Sequence, residues 1–107
     1  MKRMKKEGVQ KVLLEKRQIL QKINEAYDKV LYKDTRSEGV CELEKLRGKD
    51  SSIPCILGHA HEMEFYDGGH DVSEAKNAIA EYERAVSQGG YEFLSKDIER
   101  IKQDAGI

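Results

Sequence analysis

Histidine and carboxylate crowd one stretch of the chain, CILGHAHEMEFYDGGHD, from Cys55 to Asp71. All three histidines, His59, His61 and His70, lie in it beside Glu62, Glu64, Asp67 and Asp71. Thiolate, imidazole and carboxylate are the donors that Zn²⁺, Fe²⁺ and Mn²⁺ sites use, so Cys55, His59, His61 and His70 form the candidate metal-ligating set. Helical winding puts Cys55 and His59 one turn apart, with Glu62 a turn further on the same face; extended winding sets His59 and His61 side by side instead. Neither arrangement matches HExxH or paired CxxC spacing, and unpatterned clusters of this kind are more often solvated helix ends whose histidines bond locally. No cofactor is therefore expected, and Zn or another divalent metal is the alternative.

Covalent chemistry has one candidate here. Cys55 with His59 at i+4 could pair as thiolate and imidazole. No oxyanion-hole glycine motif accompanies the pair, and the chain has no GxxxxGK[ST] or GxGxxG loop to cradle a phosphate. The glycine pairs Gly68-Gly69 and Gly89-Gly90 are punctuation between elements. No catalytic residue is assigned, and the chain is not expected to be an enzyme.

The elements that must position these residues read as all-α, in a single domain spanning 1–107. The largest is a long amphipathic helix over 8–33, uninterrupted by Gly or Pro after Gly8 and filled with good helix formers. At roughly 100° per residue, Val9, Val12, Leu13, Ile19, Leu20, Ile23, Ala26, Tyr27, Val30 and Leu31 share one stripe. Their spacing also fits a coiled-coil register, with Val9, Leu13, Leu20, Ile23, Tyr27 and Val30 as a seam and Lys16 as the polar interloper. Residues 1–7 read as a frayed, weakly helical lead-in.

Asp34-Thr35-Arg36-Ser37 breaks the long helix. A short helix follows, carrying Val40, Leu43 and Leu46, weakened by Gly39 and closed by Gly48. Ser52 as N-cap and Pro54 in the first turn open a further helix over 53–66, with Ile53, Ile56, Leu57, Ala60 and Met63 on one side. Gly58 inside it costs about 1 kcal/mol relative to Ala. A strand over 59–65 is the competing reading, from the alternation of His61, Met63 and Phe65. A helical hairpin completes the chain over 72–105: Asp71 and Glu74 make a capping box, and Gly89-Gly90 separates the helices.

Composition decides what surface these helices leave. The hydrophobic fraction is only 38% and the charged fraction 36%, so the chain alone buries a modest core. A long apolar stripe on such a chain favours a homo-oligomer, because a second copy supplies the missing surface. The net charge of −1 hides an asymmetry: residues 1–33 carry ten Lys/Arg against four Asp/Glu, and the remainder is acidic. Opposite the apolar stripe, Lys11, Lys22, Lys29 and Lys33 fall in a narrow arc that could track phosphates. Aromatic side chains, which single-strand binders interleave, are missing from that arc. No run approaches about 18 apolar residues, no apolar h-region follows the basic start, and Cys41 and Cys55 read as reduced thiols, which together point to the cytoplasm.

The leading functional reading is a small non-catalytic interaction protein, an adaptor or inhibitor. It would assemble as a homo-oligomer through its long helix and dock on a protein partner through exposed aromatic anchors, with Phe65, Tyr66, Tyr91 and Phe93 as candidates. Compact charged chains of this type occur among regulators and among phage-encoded inhibitors of host machinery. The alternative is a binder of nucleic acid or of a small anionic nucleotide ligand through Lys11, Lys22, Lys29 and Lys33. A metal-binding protein built on the 55–71 cluster is the third reading.

Overall fold

A computed structural model describes the backbone of residues 2–107 and the side chains of residues 10–107. Over these residues the fold is all-α, with five helices in the order α1 (Lys2–Leu31), α2 (Arg36–Lys45), α3 (Ile53–Asp67), α4 (Val72–Gln88) and α5 (Leu94–Ala105). The long helix begins at Lys2, not Gly8, and so absorbs most of the lead-in that terminal fraying predicts; Met1 lies outside the described residues. It stops at Leu31, because two carbonyls of its last turn are capped from the following segment. Thr35 Oγ1 donates to Lys29 O at 2.7 Å and Arg36 Nε donates to Val30 O at 2.8 Å.

Residues 59–65 are helical, which removes the strand alternative. Capping differs from expectation at two places. Ser52 holds the N-cap position of α3, but its side chain makes no cap; the Ser52 N–H and hydroxyl instead donate to Asp50. Asp71 does cap α4, accepting from Ser73 N at 2.9 Å, while Glu74 turns away to His61 at 2.7 Å and leaves the capping box half made. Gly89 and Gly90, at φ 88° and 84°, supply the left-handed backbone that separates α4 from α5.

The core lies on two sides of α3. On one side Ile53, Leu57 and Ala60 pack with Ile23, Ala26 and Val30 of α1 and Leu43 of α2. On the other, Phe65 joins Ala75, Ala78, Ile79, Tyr82 and Ala85 of α4 and Leu94, Ile98 and Ile101 of α5. Two interior glycines make these contacts close. A Cβ on Gly58 would sit 2.5 Å from the Tyr82 ring, and one on Gly39 would sit 2.6 Å from Ala26 O. Both weaken their helices intrinsically, and both are the only residue type that fits.

The N-terminal half of α1 leaves this body. Every described side chain from Gln10 to Gln18 is exposed, and the molecule measures 61 × 30 × 16 Å. That arm carries Val12, Leu13 and Leu14, each at least half exposed among the described residues, and Leu20 is exposed just beyond it.

Gly58→Ala tests the close approach. Alanine is the better helix former by about 1 kcal/mol, yet overpacking against Tyr82 should leave the variant about 1–3 kcal/mol less stable. Urea unfolding followed by circular dichroism measures it; a variant as stable as the parent would refute the contact.

Candidate functional site

A groove of about 680 Å³ runs between α1, α3 and α5. Tyr27, Ile56, Met63 and Phe93 give it an apolar wall, and Cys55, His59, Glu62, Asp67, Asp97 and Arg100 supply its polar groups. Its volume lies in the range of ligand pockets, but it is an open trough. The helical spacing explains the gathering: Cys55, His59 and Glu62 recur every three or four residues and so point the same way from α3.

Glu62 anchors the floor. It is 8% exposed, accepts from Tyr82 Oη at 2.8 Å and pairs with Arg100, and His59 Nδ1 lies 3.5 Å away. Burial alone would push its carboxyl up. The donors from His59, Tyr82 and Arg100 outweigh that and hold it at about 2. The same burial, with Glu62 as acceptor, raises the Tyr82 phenol well above its ordinary value.

Arg100 spreads the network outward. Beyond Glu62 it donates to Asp97 at 2.8 Å and to Tyr66 Oη at 2.9 Å, and Tyr66 in turn donates to Asp104 at 2.6 Å. At the other end the Tyr27 ring stacks on His59 with centroids 6.3 Å apart. The groove floor is thus a fixed charge network under an apolar opening.

The proposed metal donors do not converge. Cys55 and His59 share the groove, but His61 points to the opposite side of α3 and binds Glu74, and His70 packs edge-on to Phe65. Among the described residues no three His, Cys, Asp or Glu side chains come together as metal ligands would. Cys55 does not form the thiolate pair either. Burial, followed by the nearby Asp97 charge, raises its thiol pKa, and no hydrogen bond joins it to His59 among the described residues.

The four candidate anchors divide. Phe65 is fully buried in the α3–α4–α5 core, which corrects the expectation that it is exposed: it sits in the last turn of α3, on the face that α4 covers. Tyr91 is half-buried against the same core. Tyr66 and Phe93 line the groove, and Phe93 is 65% exposed. Of the basic row, Lys11 and Lys22 are exposed on α1. Lys29 is occupied by α2, pairing with Glu42 at 2.5 Å and Glu38 at 3.2 Å, and Lys33 falls in the turn after α1.

The seam divides as well. Ile23 and Val30 belong to the chain's own core, whereas Leu13 and Leu20 are exposed and Tyr27 lines the groove. The side chain of Val9 lies outside the described residues. The cause is angular: Ile19, Ile23, Ala26 and Val30 lie on one line of α1, and Leu13, Leu20, Tyr27 and Leu31 lie about 90° round from it. Arg36 and Arg100, which the sequence did not single out, are the cations that tie helices together. Arg36 is 2% exposed and reaches Glu64 at 2.6 Å and Asp67 at 3.0 Å. Its only sequence signal was an arginine in a turn, with an acidic pair three residues apart on a later helix.

Comparison with protein families, curated proteins and solved structures finds no match for this chain. No helix among the described residues is long and apolar enough to cross a membrane.

Glu62 makes the fold acid-sensitive in a defined window. Its folded pKa of about 2 lies below the unfolded value of 4.5, so its contribution is complete above pH 4.5 and is lost as pH falls towards 2. The contribution is at most about 3 kcal/mol. Urea unfolding of wild type and Glu62→Gln at pH 7 and pH 3 checks this: wild type should be the more stable at pH 7, and the gap should narrow at pH 3. A gap independent of pH would reject the assignment.

Proposed function

We propose that this protein is a small non-catalytic interaction module, an adaptor or inhibitor, that self-associates through α1 and engages a protein partner at the groove. One observation carries the reading: Leu13 and Leu20 of α1 are 52% and 51% exposed, and their line continues through Tyr27 into the groove. An apolar strip of this kind, broken by Lys16 and flanked by charge, is what protein interfaces use at their centres. Phe93 and Tyr66 at the groove edge are the aromatic anchors for a partner, because a ring with an exposed face and a packed base gains area at little cost in entropy.

The groove chemistry agrees with recognition. Glu62 is fully engaged by its donors and the Cys55 thiol is held protonated, so neither offers a ready base or nucleophile. Phosphate tracking has less support, since Lys29 is engaged by Glu38 and Glu42 and Lys33 lies in the turn after α1.

The division of the α1 stripe gives a clean test. Leu13→Asp and Leu20→Asp change exposed positions, so helicity should survive while sedimentation velocity reports a fall to monomer mass. Ile23→Asp, which puts a carboxylate into the chain's own core, should unfold the protein outright. A wild type that is monomeric at micromolar concentration would sink the self-association. Salt-sensitive binding of generic duplex DNA, lost on changing Lys11 and Lys22 to Gln, would replace this reading with phosphate tracking.

A further inference from the structure

The exposed line of α1 has a symmetry that lets a second copy lie on it in reverse. Leu13, Leu20 and Tyr27 are spaced by seven residues, so Leu20 is the midpoint of the line. Reversing one helix about Leu20 matches residue i with residue 40 − i of the other. Leu13 then meets the partner's Tyr27 at the mouth of its groove, and Leu20 meets its own copy. We infer that the occupant of this face is a second copy of the chain, packed antiparallel and centred on Leu20, with each arm lying over the partner's body. The inference rests on the self-association proposed above and adds its geometry.

Charge chooses this arrangement over a parallel one. Residues 1–22 hold eight Lys/Arg against only Glu7 and Glu15, so a parallel pair would set two strongly basic arms side by side. It would also place Lys16 against Lys16 at the seam, and such close like charges are costly. The antiparallel pair lays each basic arm along the other copy's acidic remainder. In that register Lys16 is level with the partner's Asn24. The pairing is self-complementary, so it closes as a twofold dimer with no strip left to propagate.

The chain's own core takes the other side of α1, about 90° away, through Ile23, Ala26 and Val30. On the outer line Leu13, Leu20 and Leu31 are exposed, and Tyr27 is half-buried at the groove mouth against His59.

A spin label on Gln10, exposed and off the apolar line, reads the register directly. The experiment uses Gln10→Cys with Cys41→Ser and Cys55→Ser in the full chain, with circular dichroism to confirm the helix content and sedimentation to confirm the mass. The antiparallel pair separates the two labelled positions by about 30 Å along the axis, from twenty residues at 1.5 Å rise, whereas parallel helices hold them about 10 Å apart. A dimer with one population near 30 Å is the expected result. A dimer with a short distance would overturn the antiparallel pairing and leave self-association standing. Monomeric protein with no dipolar coupling would overturn both.

Discussion

The structure depends on the Tyr82 ring lying flat against Gly58. That contact brings α4 close enough to α3 for the phenol to reach Glu62 at 2.8 Å. Glu62 is then held from two sides, by α4 through Tyr82 and by α5 through Arg100. A carboxylate this buried is tolerable only while its donors stay in place. The apolar and polar parts of the design are therefore one constraint. Lift the ring and the carboxylate loses a donor; lose the carboxylate and the buried phenol loses its acceptor, while Arg100 keeps only Asp97 and Tyr66.

The same device recurs between α1 and α2, with different atoms. Gly39 admits the α1 backbone at Ala26 and Val30, and Arg36, buried beside it, closes the end of α1 and then reaches across to Glu64 and Asp67 of α3. A third network, in which Arg47 joins Glu44 to the buried Glu81 of α4, ties the α2–α3 connection down. A chain with so few apolar residues has two small cores and not one large one. The buried ion pairs lie at the edges of both, where each charge can still find several partners. They fix helix registry more than they add stability, since buried pairs roughly balance their own desolvation.

Helix periodicity and turn chemistry made the architecture legible. The spacing of Ala75, Ala78, Ile79, Tyr82 and Ala85 required a buried face on α4, and Gly89-Gly90 required a break before α5. What periodicity could not give was the partner of each face. The α1 stripe reads as one broad apolar band, yet its two edges have separate fates, and only a three-dimensional neighbour decides which edge is covered. Phe65 illustrates the same limit: an aromatic near a helix end reads equally well as an anchor or as core. Gly39 and Gly58 are the instructive pair, for each appears in the sequence as a local flaw. A glycine kept inside a helix at a cost of about 1 kcal/mol signals close backbone or ring approach. Of the histidine cluster, the sequence correctly placed Cys55, His59 and Glu62 on one face. It could not show that Arg100, some forty residues on, neutralises that face.

The fold spends only the inner edge of α1. Ile23, Ala26 and Val30 are needed to close the core with α2 and α3, and burying the outer edge too would require an additional helix. Among the described residues, the arm before Ile19 contributes nothing to that core. Helices of this length are only marginally stable without tertiary cover, and three half-exposed aliphatics in three consecutive positions, Val12, Leu13 and Leu14, are a liability on an isolated surface. The division of the stripe thus runs along one helix, with the inner edge buried in the chain's own core and the outer edge exposed.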